Sequence, residues 1–384
     1  ETIVALRTSL DIDLPDGIVD WTTVIASPPI DLIVKVDADS TAYLPYSSGT
    51  TGTPKGVMMS HRGFNTMMRL IIDHWEREIY PMLNNPEEFE WRNERMMLNL
   101  PFYHAFGFGN LLWSLIVGST GIVMEKFSRR PYLTAIQKYR PRMLLMVPPI
   151  VVFLTKQTMV SEYDLSSIEC IVTAAAPLGK DLCEEFLARH PYVKYLTQAY
   201  GMTELGVLSH VPLLENRETN GAAGVVASYF EQKIVCPTTG DTLDIGEKGE
   251  LCVKSPTVMS GYLGREEATK GAIDEGGWMH TGDIGYVDSL GRTFIVDRLK
   301  ELIKVKGYQV PPAELEDLLL SHPGVADVAI IGIPDERNGE LVRAYIVKKE
   351  DNLEEKDVVD FVSEMVSDYK HITGGVFFID EIPK

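Results

Sequence analysis

The sequence predicts an α/β protein, with a large N-terminal domain of helix-covered sheets followed by a small α+β domain. Three observations predict it. From Arg140 to Glu204 strand-like and helix-like patterns alternate, the signature of a parallel sheet covered by helices. Near Asp297 that alternation gives way to short strands and two amphipathic helices. The length, 384 residues with 45% hydrophobic and 24% charged, suffices for two or more domains with cores of their own.

In the large domain, Arg142 to Val147 (RMLLMV) reads as a buried strand and Ile168 to Ala174 as another. Between them and the strand Val193 to Thr197, a helix over Gly179 to His190 places Leu182, Phe186 and Leu187 on one face. Upstream, Phe106 to Met124 carries no charge and approaches the length of a membrane span. Its glycines, Asn110 and the break at 118–121 favour a buried helix followed by a buried strand, Gly121 to Met124. The polar run Asn84 to Arg95 reads as a surface loop or short exposed helix.

Beyond Asp297, Glu301 to Val310 reads as two short strands joined at Lys306–Gly307. A helix follows from Pro312 to Ser321, with proline in its first turn and Leu315, Leu318 and Leu319 facing inward. Strands Ala326–Gly332 and Val342–Lys348 come next. A last helix, from about Glu354 to Tyr369, sets Val358, Val362, Met365, Val366 and Tyr369 at helical spacing.

The formal charge of −19 argues against nucleic acid and anionic membrane surfaces as partners. Cys170, Cys183, Cys236 and Cys252 form no CxxC pair, and no histidine stands at zinc-finger spacing, so they read as reduced and structural. The chain opens at Glu1 without a signal-peptide shape and stops at Lys384, so a piece of a longer chain is expected.

The segment Tyr46 to Val57, YSSGTTGTPKGV, carries the strongest chemistry. Ser47, Ser48, Thr50, Thr51 and Thr53 supply hydroxyl donors. Gly49 and Gly52 let backbone N–H groups approach oxyanions, and Lys55 supplies charge for outer phosphates. It is not a Walker A loop, because Lys55 follows Pro54 and precedes Gly56. A bare Ser/Thr/Gly run also reads as a linker. The embedded Pro-Lys-Gly and the hydrophobic Val57-Met58-Met59 favour a phosphate loop.

Three further segments share its company: Gln198 to Glu204 (QAYGMTE), Trp278 to Asp288 (WMHTGDIGYVD) and Asp297 to Glu316 (DRLKELIKVKGYQVPPAELE). Together the four resemble, in order and across nearly the whole chain, the adenylate-forming superfamily of acyl-CoA synthetases, firefly luciferase and peptide-synthetase adenylation domains. The resemblance implies that residues 1–297 form an AMP-binding domain, 298–300 a hinge and 301–384 the small domain, both domains incomplete.

Roles follow from that match. Tyr200 stacks on adenine, with Ala175, Ala176, Pro177, Gln198, Ala199 and Gly201 along the nucleotide; as a bare residue it also reads as a core tyrosine. Glu204 offers hard oxygen to Mg²⁺ and Thr203 a donor to phosphate, though the pair alone also reads as a helix cap. Asp283 accepts the ribose hydroxyls with help from Arg298. His104, in PFYHAFG, stands by the substrate carboxylate, where a lone histidine among aromatics otherwise reads as core. The acyl pocket takes His104, Ala105, Phe106, Ala174, Ala175, Ala199, Gly201, Val207 and Leu208.

The implied reaction joins a small-molecule carboxylic acid to AMP from Mg-ATP, then transfers the acyl group to coenzyme A. Lys55, Thr203, Glu204 and His104 carry the catalysis. Lys300 is the hinge, and Lys304, Lys306, Gly307 and Gln309 reach the site in the thioester-forming pose. Lys384 aligns with the lysine that opens the family's PK-x-x-SGK tail, so the adenylating lysine is expected beyond it. The 384 residues alone are therefore expected to adenylate poorly.

AAPLG at 175–179 and VDRLKELIKVKGYQV most resemble 4-coumarate–CoA ligase and luciferase-like acyl-CoA synthetases. Ala174 and Ala199 stand where many relatives have glycine, so a medium-chain or another arylalkanoic acid competes with 4-coumarate. Loading of a carrier protein, luciferase-like oxygenation and an inactive ATP-binding paralogue are the alternatives. Cytoplasm or peroxisome, and a place in fatty-acid metabolism, complete the expectation.

Overall fold

A computed structural model describes residues 3–5, 18–20, 22–23, 26–28, 35–47, 54–214, 221–299, 301–306, 308–335, 337–349 and 352–383. The chain forms two compact units, Glu1–Asp37 and Ala38–Lys384. The first contains a parallel pair, Ile3–Ala5 with Ile18–Asp20. All that follows concerns the second.

Its centre is a parallel sheet. Tyr195–Gln198 pairs with Cys170–Thr173, which pairs with Met143–Met146, in register Tyr195↔Cys170↔Met143. Arg95–Leu98 pairs in parallel with Thr120–Val123. Every residue of Met143–Met146 and Cys170–Thr173 is buried, as expected where helices cover both faces. On one face Met143, Leu145, Cys170 and Val172 join the cluster that holds Met67, Leu70 and Trp75, and helices Arg129–Tyr139, Pro148–Lys156 and Lys180–Arg189 cover the other. They bury Tyr132, Leu133, Ile136, Val151, Leu154, Phe186 and Leu187 in one core cluster.

Two antiparallel sheets accompany it. One runs Glu231–Val235, Gly249–Lys254, Met279–Val287, Thr293–Arg298. The other joins Thr41–Tyr43, Lys55–Ser60 and Gly261–Tyr262, with Tyr46–Ser47 also on the central strand. The helix His61–His74 starts directly after it, because the Ser60 hydroxyl accepts from the N–H of Gly63 at 3.0 Å.

The C-terminal sheet is separate, in order Tyr308–Val310, Ile303–Val305, Gly339–Lys348, Val325–Asp335, with Val376–Phe378 parallel to Gly339–Lys348. Helices Pro312–Leu320 and Glu355–Met365 close a core of Ile303, Leu315, Leu319, Val328, Ile346, Val358 and Val362.

Three expectations are corrected. Residues Thr120–Val123 form the strand but not a buried one; Val123 is 62% exposed, because the strand pairs only with Arg95–Leu98 among the described residues. Met365 stands 64% exposed at the end of a helix that stops there, followed by a short 3₁₀ turn at Asp368–Lys370.

The polar run Asn84–Arg95 is not wholly a surface feature. Its aromatics fold inward, Phe89 stacking on Tyr80 at 3.9 Å and Trp91 meeting Trp113 edge-on at 5.6 Å. Glu94 is buried and paired with Arg142 at 3.3 Å. Among the described residues no helix is long and apolar enough to cross a membrane. The apolar helix Ala105–Val117 ends at Gly118, which takes a left-handed φ of +72°.

Candidate active site

Open parallel sheets collect ligands beyond the carboxyl ends of their strands. There the chain delivers Ala174 after Cys170–Thr173 and Ala199–Tyr200–Gly201 after Tyr195–Gln198. Gln198 fixes the first of these loops. Its Oε1 accepts the N–H of Leu178 at 2.8 Å and its Nε2 donates to the Leu178 carbonyl at 3.4 Å. Its amide is thus spent on holding the exposed Ala175–Ala176–Pro177 turn. Ala175 sits in that turn at φ +78°, a conformation costly to any residue with a Cβ.

One wall of the site is anionic and exacting. The Tyr200 hydroxyl donates to Asp283 Oδ2 at 2.5 Å, and Arg298 Nε lies 3.4 Å from Oδ1. Asp283 is 7% exposed, and burial lifts its carboxyl above the ordinary value despite those two donors. Burial, then the Asp283 charge, hold the Tyr200 phenol far above its usual range, so it stays a donor. Gly201 cannot carry a side chain, since a Cβ there would lie 1.8 Å from the Val207 carbonyl oxygen.

The turn bearing Asp283 is held from below by a residue absent from every motif above. Glu250 Oε1 accepts the N–H of Gly282 at 3.0 Å, and His280 Nδ1 donates to Oε2 at 2.9 Å. Thr281 adds a bond from its hydroxyl to the Leu251 carbonyl at 2.7 Å. Glu250, Cys252 and His280 have the spacing of metal ligands. Both Glu250 oxygens are already engaged, however, by the Gly282 N–H and the His280 ring. The cluster serves the loop.

The second wall combines the cation and the carboxylate that sequence motifs supplied separately. Glu204 lies in the short turn Thr203–Leu205, 5% exposed, and Tyr262 donates to its Oε1 at 2.8 Å. Lys55 begins its strand with Nζ 4.7 Å from the centre of the Tyr262 ring. Ser47 Oγ is buried with no hydrogen-bond partner among the described residues. Ser48, Gly49, Thr50, Thr51, Gly52 and Thr53 lie outside the described residues.

A third group is apolar. Ala174, Ala199 and Leu208 are buried in one core cluster, against which Phe106 and Val207 pack. Gly109 lets the helix Ala105–Val117 approach, since a Cβ there would lie 2.9 Å from a Val207 methyl carbon. His104 caps that helix, its Nδ1 accepting the N–H of Phe106 at 3.2 Å. The residue is exposed, and partial desolvation lowers its pKa, which favours neutral imidazole.

The family model of AMP-binding enzymes matches residues 5–263, and that of the AMP-binding enzyme C-terminal domain matches 314–384. The chain belongs to the AMP-binding enzyme family. A 4-coumarate–CoA ligase of Vanilla planifolia is 43% identical over 357 residues, covering 91% of this chain and 63% of that protein. The chain therefore spans less than two thirds of that relative's length.

Among solved structures, the o-succinylbenzoate–CoA synthetase of Bacillus subtilis with its acyl-adenylate is 28% identical at a TM-score of 0.80, covering 96% of this chain and 72% of that one. The same synthetase with ATP and a magnesium ion gives 0.79. An amide bond synthetase of Marinactinospora thermotolerans, 26% identical, gives 0.82 and covers 99% of this chain and 72% of that one.

In this member of the family, Lys304 and Lys306 make none of the contacts described for either wall. Lys304 and Lys306 are exposed at the tip of Ile303–Val305 and Tyr308–Val310, with Lys306 at φ +51°. Lys300, Gly307 and the side chain of Gln309 lie outside the described residues. Sequence reasoning missed two contributors, Glu250 and Tyr262. Only tertiary pairing brings each to its carboxylate or loop, from 30 or more positions away in sequence.

Proposed function

We propose that the protein activates a small carboxylic acid with Mg-ATP to an acyl-adenylate and passes the acyl group to the thiol of coenzyme A. The observation that carries this reading is the buried Asp283 carboxylate, approached by Tyr200 and Arg298, in the same fold as the Lys55–Tyr262–Glu204 cluster. A buried acceptor with two polar partners suits a ribose diol. A lysine beside a buried carboxylate suits phosphates bridged by a hard cation.

The residues present fit such a cation: among the described residues only Tyr262 hydrogen-bonds the Glu204 side chain, through one of its two oxygens. Glu204 would hold Mg²⁺ there, where the ion would supply charge neutralisation for the pyrophosphate leaving group. Lys55 adds positive charge on the outer phosphates, and Thr203 and Ser47 donate hydroxyls. Asp283 holds the ribose, and Tyr200 sets the adenine beside the Ala175–Pro177 turn that Gln198 fixes. His104, neutral, orients the acid at the mouth of the pocket. Residues 298–300 form the hinge between a domain of residues 1–297 and one of 301–384, and Lys304, Lys306, Gly307 and Gln309 swing in for thioester formation.

The acid is of 4-coumarate size or a medium-chain relative, trimmed by the methyls of Ala174 and Ala199. Use of coenzyme A sets the reaction inside the cell, in cytoplasm or peroxisome. ATP–pyrophosphate exchange with 4-coumarate, 3-phenylpropanoate and octanoate tests the first step. Thiol consumption with and without coenzyme A tests the second. ATP binding without exchange for any acid by the full-length protein overturns the reading in favour of an inactive nucleotide-binding relative.

A further inference from the structure

We infer that Tyr262 is a positioning residue that ties the phosphate-loop lysine to the cation-side carboxylate, its hydroxyl aiming Glu204 and its ring seating Lys55. The inference rests on the ATP-using reading above and adds a residue to it. Tyr262 is 7% exposed and belongs to the two-residue strand Gly261–Tyr262. That strand pairs antiparallel with the one Lys55 begins, Tyr262 opposite Val57. The ring therefore reaches Lys55 across neighbouring strands, while its hydroxyl reaches Glu204, 58 residues away in sequence.

The backbone behind the ring is fixed. Tyr262 N–H donates to the Thr269 hydroxyl at 2.9 Å. Gly261 adopts φ +143°, and a Cβ there would lie 2.8 Å from a Thr269 methyl carbon. Glu204 is fixed from its own side too, since its carbonyl accepts the N–H of Met259 at 2.8 Å. The hydrogen bond to Oε1 therefore joins two anchored segments and sets the rotation of the carboxylate. A carboxylate offers two oxygens and about four lone-pair directions. With Oε1 tied by the phenol, the group is pre-oriented for a hard cation rather than free to turn.

The same ring gives Lys55 a cation–π seat, so that its charge faces the site before phosphate arrives.

The test is ATP binding by calorimetry at a series of MgCl₂ concentrations, with no acid and no turnover. Tyr262→Phe keeps the ring and removes only the hydroxyl. It is expected to raise the Mg²⁺ concentration for half-maximal tightening about tenfold, with metal-free ATP affinity unchanged. Glu204→Gln must shift the same midpoint in the same direction, and the double variant no further than the larger single shift.

An unchanged Mg²⁺ midpoint in Tyr262→Phe, or equal losses with and without Mg²⁺, overturns the inference. An unshifted Glu204→Gln overturns it as well, even if the tyrosine variant fails to fold. Absence of ATP binding by the unmodified protein instead overturns the functional reading, and this inference with it.

Discussion

Replacing Gly201 with alanine isolates the tightest backbone crossing in the site. The new Cβ would lie 1.8 Å from the Val207 carbonyl oxygen and 2.7 Å from Leu208 Cα. A carbon–oxygen contact needs about 3.3 Å, so the 207–208 segment must retreat by roughly 1.5 Å. It is not free to do so. The N–H groups of Ser209 and His210 both donate to the Tyr200 carbonyl, at 2.9 and 3.0 Å, and Tyr200 N–H donates to the His210 carbonyl at 3.2 Å. Retreat strains or breaks these bonds, each worth about 1 kcal/mol, on top of about 1–3 kcal/mol for overpacking.

The expected loss is about 2–5 kcal/mol against a total stability of about 5–15 kcal/mol. The same movement displaces Tyr200 on one side and Thr203–Glu204 on the other, so ATP affinity falls along with stability. Urea unfolding followed by tryptophan fluorescence, with ATP calorimetry on the folded variant, measures both. Gly271→Ala is the control, because its Cβ would meet nothing closer than 3.4 Å. A Gly201→Ala variant with the midpoint and ATP affinity of the unmodified protein would refute the close crossing and the link between it and the site.

Asp283→Asn keeps an acceptor for the Tyr200 hydroxyl but drops the charge. ATP affinity is expected to fall about 10–100-fold, as for loss of charge-assisted bonds, with the urea midpoint little changed. Arg142→Met leaves Glu94 and Glu169, both buried, without the guanidinium that lies 3.3 and 3.0 Å from them. That costs about 3–5 kcal/mol at pH 7 in urea unfolding.

Asp297 supplies a pH prediction. Burial pushes its carboxyl up to about 6, so the folded protein holds that proton more tightly than the unfolded chain. Its contribution to stability therefore falls as pH rises from about 4 to about 6, then levels off. Asp297→Asn still accepts from a backbone N–H and is expected to gain roughly 1–2 kcal/mol over the unmodified protein across that window. A difference between the two that does not change with pH would sink the prediction.

Much of the parallel sheet was legible from periodicity. RMLLMV and IECIVTA are largely apolar runs of strand length, and their inner residues Met143–Met146 and Cys170–Thr173 form fully buried strands. The segment after Gly118 was not, because period and apolarity do not say whether a strand has a neighbour on each side. Val123 is as hydrophobic as the buried residues of Met143–Met146, yet among the described residues its strand pairs on one side alone. Phe89 and Trp91 were hidden for the opposite reason. Charges surround them in sequence, but the aromatic rings fold onto Tyr80 and Trp113.

The site divides in the same way. Sequence alone determined which chemical groups are present: the hydroxyl-rich loop ending at Lys55, the Tyr200–Glu204 segment, and the turn carrying Asp283. Those assignments come from local residue order, which survives without coordinates. Tertiary structure decided what each group touches. It put the Tyr200 hydroxyl on Asp283, spent the Gln198 amide on Leu178, and brought in Glu250 and Tyr262, whose partners lie far from them in sequence. The physical reason is that a hydrogen bond acts over about 3 Å, whereas the residues it joins here lie from 20 to 83 positions apart. Only the packing of strand ends against turns closes those separations.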